Sequence, residues 1–133
     1  MNFGIIPASA APYLHSLLRV VAGLLFLEHG TGKILGFPAL PGLDKLPTAL
    51  LYVTGLLELI GGALIVIGLF TRPVAFVLAG FMAVAYWMVH FMMGGPFPAI
   101  NCGEPAILFC FVFLYLAAAG AGPISVDRAV GGA

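Results

Sequence analysis

Four long apolar stretches, separated by proline and glycine, constrain this chain more than any other feature of its sequence. A helix that crosses a bilayer needs about 20 mostly apolar residues. The stretches predict helices at residues 13–35, 47–70, 73–93 and 104–121. The fourth is short, so we expect it to tilt little or to sit in a thinned bilayer. The predicted fold class is an all-α membrane protein, a four-transmembrane-helix bundle, with residues 1–133 as a single transmembrane domain.

The composition indicates that the chain is surrounded partly by lipid and not only by water. Apolar residues make up 62% of the chain and charged residues 8%, whereas soluble domains carry about 25% charged residues. The formal net charge is zero and no basic run is present, so we exclude nucleic acid as a partner and expect the lipid bilayer instead. The first apolar run leads into Glu28, His29 and Lys33 rather than a cleavage site, so we expect a retained anchor.

The links between the stretches predict the topology. Only Thr71 and Arg72 separate the second stretch from the third, which requires an antiparallel hairpin. Four helices place both termini on one side of the membrane, together with Arg19, Arg72 and Arg128. Lys33 and Lys45 fall on the other, far side. This small excess of positive charge predicts cytoplasmic termini.

Ionisable residues within the apolar stretches are the candidate functional residues. Each costs about 2.5–3.5 kcal/mol at the centre of a membrane helix, so each needs a protein partner, water or a ligand. Glu58 lies between Gly55 and Gly62 on one face of the second helix. Small residues allow helices to approach closely. We therefore expect Glu58 to point into the bundle, toward a group of the first helix such as His29, Lys33 or Arg19.

The order of the helices predicts a cluster of polar side chains on the far side. His29 and Lys33 are four residues apart on one face of the first helix, and Glu58 lies at a similar depth. The members of this predicted far-side cluster are Glu28, His29, Lys33, Glu58, His90 and Glu104. Such a set could bind an anion or a polar head group, or transfer protons.

Simpler interpretations remain open for several of these residues. Glu58 could be a buried carboxylate that only fixes helix packing, and His90 could belong to an interfacial aromatic belt with Trp87. No spacing motif of metal ligands is present, so we predict no metal site. The two cysteines, Cys102 and Cys110, do not form a paired redox motif.

Three segments together resemble the DoxX family of small membrane proteins. The first contains Arg19, Gly23-Leu24-Leu25-Phe26, His29-Gly30 and Lys33. The second contains Glu58-Leu59-Ile60-Gly61-Gly62 and Gly68-Leu69-Phe70-Thr71-Arg72, and the third is Gly120-Ala121-Gly122-Pro123-Ile124-Ser125-Val126-Asp127. The resemblance covers nearly the whole chain. It implies a four-helix protein of a bacterial-type inner membrane, in a family linked to quinone-dependent thiosulfate oxidation and to thiol stress.

The cluster and the resemblance together predict a membrane subunit of a redox system. A quinone or a small sulfur anion would bind at the far-side cluster. Glu58 and His29 would transfer protons as the catalytic pair, and Lys33 and Arg19 would supply positive charge. The alternative is a non-enzymatic scaffold or a small-molecule permease. Partner expectations are a redox partner subunit or a homo-oligomer packed through glycine faces.

Overall fold

The computed structural model describes residues 4–131, and this part of the chain contains helices and turns but no strand. Four long helices form the body of the protein: α1 (Ala11–Leu35), α2 (Thr48–Ile67), α3 (Thr71–Ala85) and α4 (Glu104–Ala119). Shorter helical segments lie at Ala8–Ala10, Leu43–Lys45, Met92–Gly94, Pro98–Asn101 and Val126–Ala129.

The helix ends differ from the expected ones where glycine changes the backbone direction. α2 ends at Ile67 because Gly68 has a φ of 69°, in the left-handed region that glycine adopts at low cost. α3 then begins at Thr71, and its helical path continues through a π-helical segment, Tyr86–Phe91. α4 ends at Ala119, before Gly120.

Within residues 4–131, three helical segments have the length and apolar composition needed to cross a membrane: Ala8–Leu35, Thr48–Ile67 and Thr71–Gly94. α4 is also apolar but has only 16 residues. Many large apolar side chains are exposed on the outside of the helices, among them Leu24, Ile60, Phe76 and Trp87. An apolar exterior of this extent is suited to contact with lipid acyl chains.

The four long helices pack as two pairs. α1 packs mainly against α2, and α3 packs mainly against α4. Phe26 of α1 joins the pairs, because its ring contacts Phe81 of α3 and Phe109 and Phe113 of α4 at centroid distances of 5.0–6.3 Å. Phe26 and Phe113 are at most 1% exposed, so the aromatic contacts form the centre of the apolar core.

The α1–α2 pair is held close by glycines. A Cβ atom on Gly30 would lie 2.3 Å from the backbone nitrogen of Leu59, and one on Gly62 would lie 2.8 Å from the Cα atom of Leu27. Backbone atoms cannot move away from such contacts without separating the helices. The glycines therefore allow the direct backbone approach that is common between helices in membranes.

Gly30→Ala is expected to lower the free energy of unfolding by about 1–3 kcal/mol, because the added methyl group forces α1 and α2 apart. Gly80→Ala is the matched control, since a Cβ atom on Gly80 meets nothing within 4 Å. The control is expected to be neutral or stabilising by up to about 1 kcal/mol. Thermal unfolding of both variants in detergent measures the difference. Equal effects at the two positions would contradict close α1–α2 packing.

Candidate functional site

A buried ion pair between α1 and α2 is the main polar feature within the membrane helices. Lys33 Nζ lies 2.8 Å from Glu58 Oε1 and 3.1 Å from Thr54 Oγ1. Glu58 lies about 15 Å along α2 from Thr48, at a rise of 1.5 Å per residue. The expected contact between Glu58 and a group of the first helix is thus found, and Lys33 is the partner.

Glycine spacing on α2 explains why these side chains meet. A Cβ atom on Gly55 would lie 3.0 Å from the Cβ atom of Lys33, so the lysine stem crosses α2 at a position that has no side chain. Gly62, one turn beyond Glu58, brings the α1 backbone close at Leu27. The close approach leaves the carboxylate facing α1 rather than lipid.

The ion pair is buried but is not fully hydrogen-bonded. The side chains of Lys33 and Glu58 are 14% and 6% exposed. Glu58 Oε2 is buried and has no hydrogen-bond partner among the described residues. A buried carboxylate oxygen without a donor costs free energy.

The other two ionisable residues of α1 on the far side are exposed. His29 is exposed but lies close enough to Glu58 to interact with it electrostatically. Glu28, the preceding residue, is also exposed. The structure shows no hydrogen bond of His29 and no contact of the Glu28 carboxylate with the pair among residues 4–131.

His90 and Glu104 belong to a different part of the far side. His90 Nδ1 lies 3.0 Å from the carbonyl oxygen of Asn101, and Glu104 is exposed in the first turn of α4. The structure shows no contact between either side chain and Lys33 or Glu58 within residues 4–131. Of the six residues in the predicted far-side cluster, only Lys33 and Glu58 are in direct contact with each other, and His29 lies near them.

Asn101 organises the loop before α4 and was not singled out from the sequence. Its amide nitrogen donates to the carbonyl oxygen of Gly95 at 2.8 Å, and its side-chain oxygen accepts from the backbone N–H of Gly103 at 2.8 Å. Asparagine is common in loops, so the residue type alone does not indicate that Asn101 has a structural role. Its position beside His90 becomes visible only when α3 and the loop are folded together.

Arg19 lies at the opposite end of the α1–α2 pair and is only 1% exposed. Its guanidinium group donates hydrogen bonds to the carbonyl oxygens of Ile65, Val66, Ala121 and Ile124. Ile65 and Val66 lie in the last turn of α2, where carbonyl groups lack helical partners. Arg19 therefore joins α1, the end of α2 and the segment after α4, far from Lys33.

Asp127 makes a second connection at the same end of the bundle as Arg19. In the sequence, Asp127 stood out only as part of the segment Ser125-Val126-Asp127. Its carboxylate oxygens accept from the backbone N–H groups of Phe70 and Thr71 at 2.7 and 2.9 Å, which caps the start of α3. Burial raises the pKa of a carboxyl group, but the hydrogen bonds from Thr71 and Phe70 and the charge of Arg19 outweigh it. The pKa of Asp127 is therefore held below its ordinary value.

No group of three His, Cys, Asp or Glu side chains in residues 4–131 is arranged to hold a metal ion. Two surface grooves lie away from the ion pair. An apolar groove of about 540 Å³ runs between α2 and α3 and is lined by residues such as Leu57, Leu64 and Val77. A second groove of about 320 Å³ is lined by the segment from Ala119 to Arg128. The polar chemistry in the membrane helices therefore centres on the Lys33–Glu58 pair.

Comparisons with known proteins place these features in a family. The family model described as DoxX matches residues 14–91, which contain both Arg19 and the Lys33–Glu58 pair. An uncharacterised protein of Haemophilus influenzae is 40% identical over 121 residues, 88% of this chain and 90% of the relative. A Bacillus subtilis protein named "Putative oxidoreductase CatD" is 41% identical over 66 residues, which cover 47% of this chain and 49% of that protein. No solved structure matches the chain.

Asp127→Asn is expected to lower the free energy of unfolding at neutral pH by about 1 kcal/mol, because it weakens the cap of α3. A carboxyl group whose pKa falls on folding stabilises above its unfolded pKa of about 3.9 and stops doing so as the pH falls through the folded pKa. The difference between wild type and variant should therefore disappear on acidification. Thermal unfolding across this pH range measures it, with exposed Asp44→Asn as control. A difference that persists in acid would contradict the cap.

Proposed function

Because this chain belongs to the DoxX family, we propose that it is the membrane subunit of a redox system that binds a quinone or a small sulfur anion at the Lys33–Glu58 pair. In this proposal Glu58 and His29 are the catalytic pair and Lys33 is the main ligand-binding residue. A quinone is the proposed cofactor or co-substrate.

The observation that carries the proposal is a buried ion pair with a free acceptor atom. Charges inside membrane helices are costly and usually serve function. A pair that served packing alone could be replaced by apolar residues without loss of stability. Lys33 and Glu58 instead form a charged pair between two apolar helices, and Glu58 Oε2 lacks a partner among the described residues.

The side chains fit the proton chemistry of quinones. A quinone takes up protons together with electrons when it is reduced, so its site needs a group that exchanges protons and a route to water. Glu58 is the buried exchanging group, and exposed His29 is the route. Lys33 stabilises negative charge on the ligand, and electrons come from a sulfur compound or a redox partner subunit.

The other predicted ligand-binding residues have supporting roles in this proposal. Glu28, His90 and Glu104 lie toward the same end of the bundle and would contact a polar group as it enters. Arg19 already donates to four carbonyl groups, so we assign it a long-range positive charge rather than a direct contact. The name of the Bacillus subtilis relative, which includes the word oxidoreductase, supports redox chemistry.

The proposal includes a position in the membrane. We propose that α4 spans it as the fourth helix of one transmembrane unit, since 16 apolar residues extend about 24 Å and a thinned bilayer accommodates such a helix. Arg19, Arg72 and Arg128 then place both termini in the cytoplasm, in a bacterial-type inner membrane.

A non-enzymatic role is the second candidate, either a scaffold or a small-molecule permease. The glycine contacts between α1 and α2 favour it, because they show that much of this helix pair is devoted to close packing. Exposed small residues such as Gly80 could pack against a second copy of the chain in a homo-oligomer. Lipid extraction separates the candidates, since a redox subunit should retain quinone and a scaffold should not.

Glu58→Gln tests the proposed function in full-length protein reconstituted in lipid nanodiscs. Quinone binding is followed by the fluorescence of Trp87, the only tryptophan of the chain, and turnover by quinone reduction with thiosulfate or sulfite. The substitution is expected to lower turnover at least about tenfold, because an amide cannot exchange the proton that quinone reduction requires. Asp44→Asn, in an exposed loop, should turn over as the wild type does. Absence of turnover by the wild type, or unchanged turnover by Glu58→Gln, would contradict the proposal.

A further inference from the structure

A groove at the end of the bundle that contains Arg19 has a lining of mixed polarity. It has a volume of about 320 Å³ and is lined by residues of the segment from Ala119 to Arg128, which follows α4. We call it the terminal-side groove. Its lining includes both apolar Pro123 and charged Arg128. It lies at the opposite end of the α1–α2 pair from Lys33, so it is separate from the redox site proposed above.

Two arginines with structural contacts bring positive charge close to the terminal-side groove. The guanidinium group of Arg19 donates to the carbonyl oxygen of Ala121, a lining residue, at 2.9 Å. A Cβ atom on Gly120, which lies between two lining residues, would be 3.3 Å from Nη2 of Arg72. Asp127 contributes a carboxylate to the lining, but two backbone N–H groups already donate to it. The groove therefore attracts an anion.

Arg128 differs from the other two arginines because its guanidinium group is open to a ligand. The side chain is exposed, lines the groove and makes no hydrogen bond or ion pair within residues 4–131. Its backbone is nevertheless held, because the Arg128 N–H donates to Ser125 Oγ at 3.2 Å. The N–H of the preceding residue, Asp127, donates to the carbonyl oxygen of Gly68 at 2.8 Å. The segment thus presents a planar group of five N–H donors, which matches the geometry of a phosphate.

The membrane position proposed for α4 brings lipid head groups to this groove. α4 has 16 residues, which extend about 24 Å, and it ends at Ala119, the first residue of the groove lining. The hydrocarbon core of a bilayer is about 30 Å thick, so a leaflet that thins beside α4 lowers its head groups toward the helix end. Ile124 and Val130, on either side of Arg128, are 63% and 72% exposed. Exposed apolar side chains around a cation are typical of a segment at the membrane interface.

We propose that the terminal-side groove binds the phosphate group of an anionic phospholipid, such as phosphatidylglycerol, and that Arg128 donates to this phosphate. Arg19 and Arg72 attract the head group at longer range, and the acyl chains lie along the exposed apolar surface of the helices. Phosphatidylcholine has the same phosphate but would bring a quaternary ammonium group next to three arginines, so it binds more weakly. The inference goes beyond the redox proposal and depends only on the membrane position proposed for α4.

The experiment compares lipids that differ only in the head group. Full-length protein in detergent micelles is titrated with phosphatidylglycerol or with phosphatidylcholine of the same acyl chains, and native mass spectrometry measures the bound lipid. Phosphatidylglycerol is expected to bind at least about fivefold more tightly, which corresponds to the attraction of one arginine for an anionic lipid. Glycerol phosphate, which has the phosphate without acyl chains, is expected not to compete.

A matched pair of variants locates the lipid. Arg128→Gln removes the open guanidinium group, so the affinity for phosphatidylglycerol should fall about fivefold and the preference over phosphatidylcholine should shrink. Lys45→Gln removes an exposed cation between α1 and α2 and should leave both unchanged. The side chain of Arg128 has no hydrogen-bond partner within residues 4–131, so Arg128→Gln is expected to fold as the wild type does, which thermal unfolding checks.

Three results would each overturn the inference. Equal affinity for the two lipids would show that the head-group charge is not recognised. Competition by glycerol phosphate would assign the groove to a free phosphate compound instead of a lipid. Equal effects of Arg128→Gln and Lys45→Gln would mean that the lipid is attracted to any surface cation. None of these measurements involves quinone reduction, so failure here is distinguishable from failure of the proposed function.

Discussion

The buried guanidinium group of Arg19 is the interaction on which the closed arrangement of helices depends. It bonds carbonyl groups in the last turn of α2 and in the segment after α4, so one side chain joins parts of the chain up to 105 positions apart. Asp127 then caps α3 from the same segment. Arg19 is only 1% exposed, so the protein rather than water supplies the hydrogen-bond partners of its guanidinium group. These contacts hold the helices together at the end of the bundle where both termini lie.

The Lys33–Glu58 pair differs from Arg19 in a way that assigns them different roles. Four donors of Arg19 meet four carbonyl oxygens, as expected for a structural contact. Glu58 keeps one buried oxygen without a partner among residues 4–131, and incomplete satisfaction of a buried charge is typical of functional sites. The contacts of Arg19 hold the helices together at one end, and in our proposal the incomplete pair at the other end exchanges a proton or binds a ligand.

The sequence predicted the local features of this structure better than the distant ones. The apolar stretches predicted α-helices, and Gly55 and Gly62 predicted that Glu58 faces the first helix, because both depend on spacing within one segment. The carbonyl partners of Arg19 could not be predicted, since they depend on how a turn and a closing segment meet in three dimensions. The separation of His90 and Glu104 from Lys33 has the same cause, because depth along a helix does not fix which neighbouring helix a side chain faces.

We propose that Lys33 and Glu58 serve ligand chemistry rather than stability. The most direct test replaces both at once, Lys33→Met together with Glu58→Met, and measures quinone affinity in protein whose thermal unfolding has been recorded. Replacing both partners of a buried ion pair by apolar residues is usually neutral or stabilising by about 1–4 kcal/mol. We expect a double variant that is at least as stable as the wild type and has lost quinone binding. A double variant that is destabilised, or that binds quinone as the wild type does, would contradict the claim.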